Sequence, residues 1–410
     1  MAKDTTEYRV LTPDDAADWF NLQRLSYGGG DTPPAPEESA AIKMSLRRGL
    51  FAAGRLVAGL HLLPMRSYCG DTLLPSGGIG SVATLPERRR EGHAFKLIRH
   101  CLDELHARGF ALSPLYPFKY SFYRRLGWEH AVDMVTYEVP LADLSWHTGG
   151  GRIRLVSKSE PSAEAQASSA DIGILQDVYR RWAKGYNGLW ERDEAHWRRF
   201  ILKAHNLLSV AAVWETLAGE PEGYVIYRQD AFGEGPLAIR VRELAAVSSQ
   251  AYRGLLGLLH THEGTYTTVR FGLPPTDPLS LFLPNPRVKR ELRSHSMWRL
   301  VDLATAVPAM ARTAPGEGRV GLSVADPDCP WNAGEWSLEG TPQGLTLARG
   351  IQPGIPRVSL GIGTLAQIAC GYLSAGRARA AGLLEAPAEA ALGLLDALSG
   401  GRPAHLSDYF

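Results

Sequence analysis

Gly80-Ser81-Val82-Ala83-Thr84-Leu85-Pro86-Glu87-Arg88-Arg89-Arg90-Glu91-Gly92-His93-Ala94-Phe95-Lys96 carries the most information of any stretch in the chain. It runs from an apolar strand through a basic turn to Gly92, and a helix follows directly. The helix is read from Ala94, Leu97, Ile98, Cys101, Leu102 and Leu105, which recur at the i, i+3, i+4, i+7 spacing of one buried face. Gly109 closes it as a left-handed cap. A helix start carries about four unpaired backbone N–H groups and a partial positive charge, so a loop wrapped around it can bind a pyrophosphate. Gly92 lets the backbone come close to such a group, and Arg89 and Arg90 add positive charge beside it.

Upstream, Thr12-Pro13-Asp14-Asp15 reads as an N-cap, a proline at the first helical position and an acidic first turn, which predicts a helix to about residue 25. Tyr27 and the run Gly28-Gly29-Gly30-Asp31-Thr32-Pro33-Pro34 end it in a loop that would border an open side of the site. Two apolar runs around Gly54-Arg55 signal a hairpin, and strands are expected over 68–74 and 78–85. Downstream come a strand over 110–115, a short helix over 121–125 and a strand over 134–139. The order is helix, antiparallel strands, helix, strand, helix, strand.

Arg89-Arg90-Glu91-Gly92-His93-Ala94 fits Arg-x-x-Gly-x-Ala, and Phe122-Tyr123-Arg124-Arg125-Leu126-Gly127-Trp128 fits Phe-Tyr-x-x-x-Gly-aromatic. In both respects the chain resembles the GNAT superfamily of acetyltransferases. The resemblance implies an acetyl-coenzyme A site formed by Val82, Ala83, Thr84, Arg89, Arg90, Glu91, Gly92, His93, Ala94 and Phe95. The strand at 82–84 would pair with the pantetheine arm through its backbone, and the loop would hold the pyrophosphate. It also implies that Tyr123 is the general acid. A phenol titrates near pH 10 and a thiol near 8.5, so a tyrosine is protonated at neutral pH and able to donate to a departing thiolate. Tyr116 and Tyr120 are expected as walls.

After Thr148-Gly149-Gly150-Gly151, read as a linker, a similar plan recurs. A hairpin is expected over 208–214 and 224–227, a strand over 241–247 and a helix over 255–259. Ser248-Ser249-Gln250-Ala251-Tyr252-Arg253-Gly254 lacks the Arg-x-x-Gly motif at the matching place. Past the loop at 314–318, strands are expected over 320–324, 336–338, 345–347 and 358–362, with helices over 364–370 and 389–398. The whole resembles the Enhanced intracellular survival (Eis) family. The implied fold class is α+β: two tandem GNAT-like domains, the second degenerate, over 1–147 and 148–300, then a sterol-carrier-protein-like domain over 301–410.

That resemblance further implies acetylation of amines on aminoglycoside-like or polyamine-like substrates and assembly as a homohexamer. It also implies that the α-carboxylate of Phe410 is the general base. A protein lysine acceptor and a non-catalytic lipid- or coenzyme-A-binding protein are the alternatives. Relatives of that family carry an acidic residue before the terminus, whereas this chain has Tyr409, with Asp408 one step earlier.

Composition sets the outer bounds. With 44 Lys and Arg against 43 Asp and Glu, the net charge of +1 gives no reason to expect nucleic acid or an anionic membrane as partner. Cys69, Cys101, Cys329 and Cys370 are scattered, which argues against a zinc site or disulfide framework and for reduced thiols. His61, His93, His100 and His106 match no metal spacing and are expected as surface or helix-face residues, so no metal is anticipated. The absence of a signal-like start and of an apolar run near 20 residues leads to the expectation of a cytoplasmic protein.

Overall fold

The computed structural model describes residues 6–28, 43–145, 147–157, 167–202, 209–230, 237–310, 317–386 and 389–409. The Gly-rich loop beyond Gly28, most of the loop at 314–318, and Phe410 lie outside them. The chain divides into two compact units, Met1–Val132 together with Ser296–Phe410, and Asp133–His295.

In the first unit a mixed sheet holds β1 (Thr6–Val10), β2 (Arg47–Ala52), β3 (Arg55–Cys69), β4 (Thr72–Thr84) and β5 (Leu112–Leu115) in that spatial order. The β2–β3 turn has φ +50° at Ala53 and +77° at Gly54, the left-handed pair that suits a two-residue hairpin. Among these five strands, β4 and β5 are the parallel pair in the described residues. Helix α1 (Ala16–Tyr27) covers one face through Trp19 and Leu22. Helix α2 (His93–Ala107) covers the other, burying Leu97, Ile98, Cys101, Leu102 and Leu105 as the periodicity requires. Full burial of each such aliphatic side chain is worth about 1.5–3 kcal/mol.

The strand expected over 68–74 is instead a hairpin turn, because β3 ends at Cys69 and β4 starts at Thr72 with Gly70 at φ +61° between them. Apolar residues on both flanks masked the turn. Helix α3 (Tyr120–Arg124) and the first part of β6 (Glu129–Pro140) follow β5.

The second unit contains the rest of β6, β7 (Arg152–Ser157), helix α4 (Ser169–Ala183), β8 (Asn187–Trp190), β9 (Ser209–Glu215), β10 (Pro221–Gln229), β11 (Ala238–Ala246), helix α5 (Ser249–His260) and β12 (Thr268–Leu273). β11 and β12 pair in parallel around α5, as β4 and β5 do around α2. The glycines at 149–151 form a packed turn of this unit. A Cβ at Gly149 would lie 2.0 Å from the Gln250 carbonyl oxygen, and Trp214 Nε1–H donates to the Thr148 carbonyl at 2.6 Å. Trp197 and Trp190 are buried in this unit, consistent with core packing.

The end of β13 (Lys289–Leu300) returns to the first unit and pairs antiparallel with β5, Arg299 opposite Ser113. The C-terminal region then forms helix α6 (Leu303–Met310) and a five-stranded sheet containing β14 (Gly318–Ala325), β15 (Gly334–Thr341), β16 (Gly344–Arg349), β17 (Arg357–Gly361) and β18 (Leu384–Glu385). Helix α7 (Ile362–Cys370) follows β17 directly. All four cysteines are buried free thiols.

Candidate active site

The site begins with a defect in β4. Gly59 faces Ala83 and His61 faces Gly80, so Leu60 on β3 is opposed by both Ser81 and Val82. This is a β-bulge, and Ser81 takes φ +51° to make it. On the other edge the parallel pairing with β5 ends at Ile79 and Leu115. Beyond that pair the strands separate, and the backbone of residues 80–84 loses its β5 partner. A strand edge with unused amide and carbonyl groups is what an extended amide-bearing arm can pair with.

The bulged strand leads to the turn. Arg90 at φ +69° and Gly92 at φ +83° are both left-handed, and the first helical bond runs from Lys96 N–H to the Gly92 carbonyl at 3.1 Å. The N–H groups of His93, Ala94 and Phe95 therefore precede the helical ladder. Gly92 supplies no side-chain cap to them, and a Cβ there would meet nothing within 4 Å. The backbone angle is what favours glycine here, and no protein neighbour adds to that preference. Arg90 holds the same region at a steric cost, which marks the turn as constrained.

These parts surround a cavity of about 820 Å³. Val82, Ala83, Thr84, Arg89, Arg90, Gly92, His93, Ala94 and Phe95 all line it, together with Ser26, Tyr27, Arg88, Phe118, Phe122 and Arg125, which sequence reasoning did not assign to cofactor binding. Arg125 lies over the Phe95 ring at 4.3 Å, and Phe95 packs on Phe122 at 4.5 Å. A signal for them existed in Phe118, Phe122 and Arg125, which recur at near-helical spacing beside the expected acid. Glu91, also expected at the site, turns its carboxylate to Arg88 at 2.8 Å and to His93 Nε2 at 2.9 Å. His93, at the first position of α2, is 3% exposed, on the helix face rather than the surface. His106 also has a specific partner, stacking on Trp331 at 4.2 Å.

Tyr27 donates its hydroxyl to the Val82 carbonyl at 2.7 Å, and Gln23 donates to the Ser81 carbonyl at 3.1 Å, so α1 grips the bulge. Tyr123 sits behind the aromatic wall at 2% exposure, with the Phe118 and Phe122 rings 5.3 and 5.0 Å away. No hydrogen bond involves its hydroxyl among the described residues. Burial, and secondarily the Tyr27 phenol, hold its pKa well above the ordinary phenol value. Tyr116, directly after β5, donates to the Asp408 carbonyl and stacks flat on Tyr409 at 4.6 Å. The residues preceding Phe410 are thus seated where β4 and β5 part.

The second unit shows what a closed version of this turn looks like. At the start of α5, Ser248 Oγ accepts from Ala251 N–H at 3.2 Å and donates to Glu222 at 2.6 Å. The helix caps itself and places a carboxylate nearby, which is hostile to a phosphate.

A bulged strand, a splay beside a parallel neighbour and a glycine-opened helix start define the class of GNAT acetyltransferases. Residues 7–131 match the acetyltransferase (GNAT) domain, residues 188–300 match a second model of that description, and residues 304–407 match the sterol carrier protein domain. An uncharacterized N-acetyltransferase of Streptomyces avermitilis is 28% identical over 98% of each chain. The N-acetyltransferase Eis of Mycobacterium tuberculosis is 28% identical over 63% of each. The crystal structure of Eis1 from Mycobacterium abscessus superposes with a TM-score of 0.79 over 99% of this chain and 100% of that one; at 24% identity it speaks for the fold. The chain is an N-acetyltransferase with two GNAT domains followed by a sterol-carrier-like domain, and it is similar to the Eis-like N-acetyltransferases over most of its length.

Proposed function

We propose that this N-acetyltransferase uses acetyl-coenzyme A to acetylate amine groups of aminoglycoside-like or polyamine-like molecules in the cytoplasm, by direct transfer within a homohexamer. The observation that carries the reading is the edge of β4 released from β5, beside the uncapped N–H groups of His93, Ala94 and Phe95, both facing one cavity. The donor set fits the cofactor: backbone amides and Arg89, Arg90 and Arg125 suit phosphates, and Val82 and Thr84 offer backbone N–H groups to an amide-bearing arm, their carbonyls already accepting from Tyr27 and Arg89.

When bound, the thioester supplies an activated acetyl carbon. The amine must first lose a proton, and the α-carboxylate of Phe410 is the acceptor we assign, which requires Phe410 to be the last residue of the protein. The seating of Asp408 and Tyr409 on Tyr116 supports this assignment. Nitrogen then bonds to the acetyl carbon, the carbon–sulfur bond breaks, and sulfur leaves with the electron pair. The second proton, shed by the acylated nitrogen, goes to solvent or to the departing sulfur, which ends as the thiol. Tyr123 is the group that donates to it. A phenol held above its usual pKa is a donor throughout the neutral range, but full transfer to a thiolate is then uphill. The donated hydrogen bond therefore supplies the stabilisation.

The test is release of free thiol from acetyl-coenzyme A with kanamycin, spermidine and a lysine peptide as acceptors. Turnover with kanamycin or spermidine supports the proposal. Turnover with the peptide alone moves the acceptor to protein lysine, and coenzyme A binding without turnover leaves a binding protein. Sedimentation of the purified protein tests the hexamer.

A further inference from the structure

We propose that the C-terminal region has a positioning role in the reaction: Asp326, through Arg299 and the bare α-carbon of Gly127, sets the placement of Tyr123. The inference rests on the reading of Tyr123 as proton donor.

Helix α3 has five residues, too few to hold itself in place. Its end is closed by a turn in which Leu126 N–H and Trp128 N–H both donate to the Tyr123 carbonyl, at 3.0 and 3.2 Å. Gly127 enters that turn at φ +82°, which favours glycine. A second reason for glycine is steric. A Cβ on Gly127 would stand 1.4 Å from Arg299 Nη1 and 2.9 Å from Ile362 Cγ2. The guanidinium occupies the volume that any side chain would need.

Arg299 is fully buried and lies over the Trp128 ring at 5.4 Å. Its Nη2 reaches both Asp326 oxygens at 2.7 and 2.8 Å and Cys329 Sγ at 2.8 Å. Asp326 directly follows β14, and Asn332 Nδ2 donates to it at 3.1 Å. The position of the C-terminal sheet is thereby transmitted to the guanidinium and on to the turn that holds Tyr123. Nε and Nη1 of Arg299 have no hydrogen-bond partner among the described residues. A buried pair this incompletely satisfied gains little stability over apolar residues of equal volume, so placement is the contribution that distinguishes it. The same region also holds the far end of the segment, where Gln367 Nε2 donates to the His130 carbonyl at 2.7 Å. Tyr116, at the near end, is bonded to Asp408.

The test uses full-length protein carrying Arg299→Met with Asp326→Leu, which leaves no unpaired ion in the core. Arg299→Lys, which retains the charge and loses the planar fork, is the second variant should the first not fold. Thermal midpoint, coenzyme A affinity by calorimetry, and kcat and KM with the best amine of the panel are read for each variant, alone and combined with Tyr123→Phe. The expected result is a folded protein with unchanged KM for acetyl-coenzyme A, a kcat lower on the order of 100-fold, and no further loss in the Tyr123→Phe background. A folded variant with undiminished kcat, or a loss that multiplies with that of Tyr123→Phe, overturns the proposal. If Tyr123→Phe alone turns over normally, the donor reading itself has failed, and the positioning role falls with it.

Discussion

Substituting Gly92 by alanine separates two consequences that are normally confounded. Gly92 has φ +83°, and holding an L-residue there costs about 1–2 kcal/mol. No protein atom lies within 4 Å of the added methyl, so no clash adds to that strain. In a unit of this size each kcal/mol lowers the melting midpoint by roughly 2–4 °C. Binding should suffer more. The methyl would project into the cavity in front of the His93, Ala94 and Phe95 amides, where the diphosphate is expected. Losing one hydrogen bond to a charged group costs about 1.5–3 kcal/mol, a weakening of roughly 10- to 150-fold. Calorimetric titration with coenzyme A and a thermal melt on the same preparation measure both effects. Arg90→Gly is the control: it relieves φ +69° and removes a charge, so the melting point should rise while affinity falls. A Gly92→Ala protein with the lowered midpoint but unaltered coenzyme A affinity would show that the turn is not the phosphate seat.

Tyr123→Phe should lower kcat by about 10²–10⁴-fold with little change in melting point, read by thiol release. Once intact mass has established Phe410 as the terminus, appending two glycines after it should abolish amine-dependent turnover and spare coenzyme A binding; undiminished turnover would remove the carboxylate from the mechanism. Burial would raise the Glu104 pKa, but hydrogen bonds from Arg48, Tyr8 and Arg108 outweigh it and bring it to about 2. Its stabilisation is complete above the unfolded value near 4.3 and is lost as pH falls toward 2. Glu104→Gln should therefore cost about 3 kcal/mol at pH 7 and flatten the acid limb of a urea-melt pH series. At the alkaline end, burial raises the pKa of Tyr123, Tyr224 and Tyr252, so their stabilisation is present below the unfolded value near 10 and lost above it. Tyrosinate absorbance should appear together with unfolding, and a tyrosinate signal from these residues in the folded protein would contradict the burial argument.

Helix α2, the hairpin after β2, with its turn at Ala53-Gly54 one residue earlier than the expected Gly54-Arg55, and the turn at Gly92 were legible in the chain because each depends on neighbours within a few residues. Amphipathic spacing, left-handed glycine and a helix start are local chemistry, and Arg-x-x-Gly-x-Ala carries all three together. The hairpin turn at Gly70 escaped because apolar residues on both strands hide a two-residue break from any window that averages over them. The missing loop at Ser248 was also visible, although its self-capping by Ser248 and Glu222 needed the folded unit.

The character of residues 80–96 as a strand, basic turn and helix start follows from the order of side chains alone. The closing of Phe118, Phe122 and Arg125 over that turn, the seating of Tyr409 on Tyr116, and the filling of the space at Gly127 by Arg299 do not. These contacts join residues up to 293 positions apart in the chain. Their energies come from burial and from matched charge in a low-dielectric interior, quantities that no residue possesses until distant segments have been brought against it.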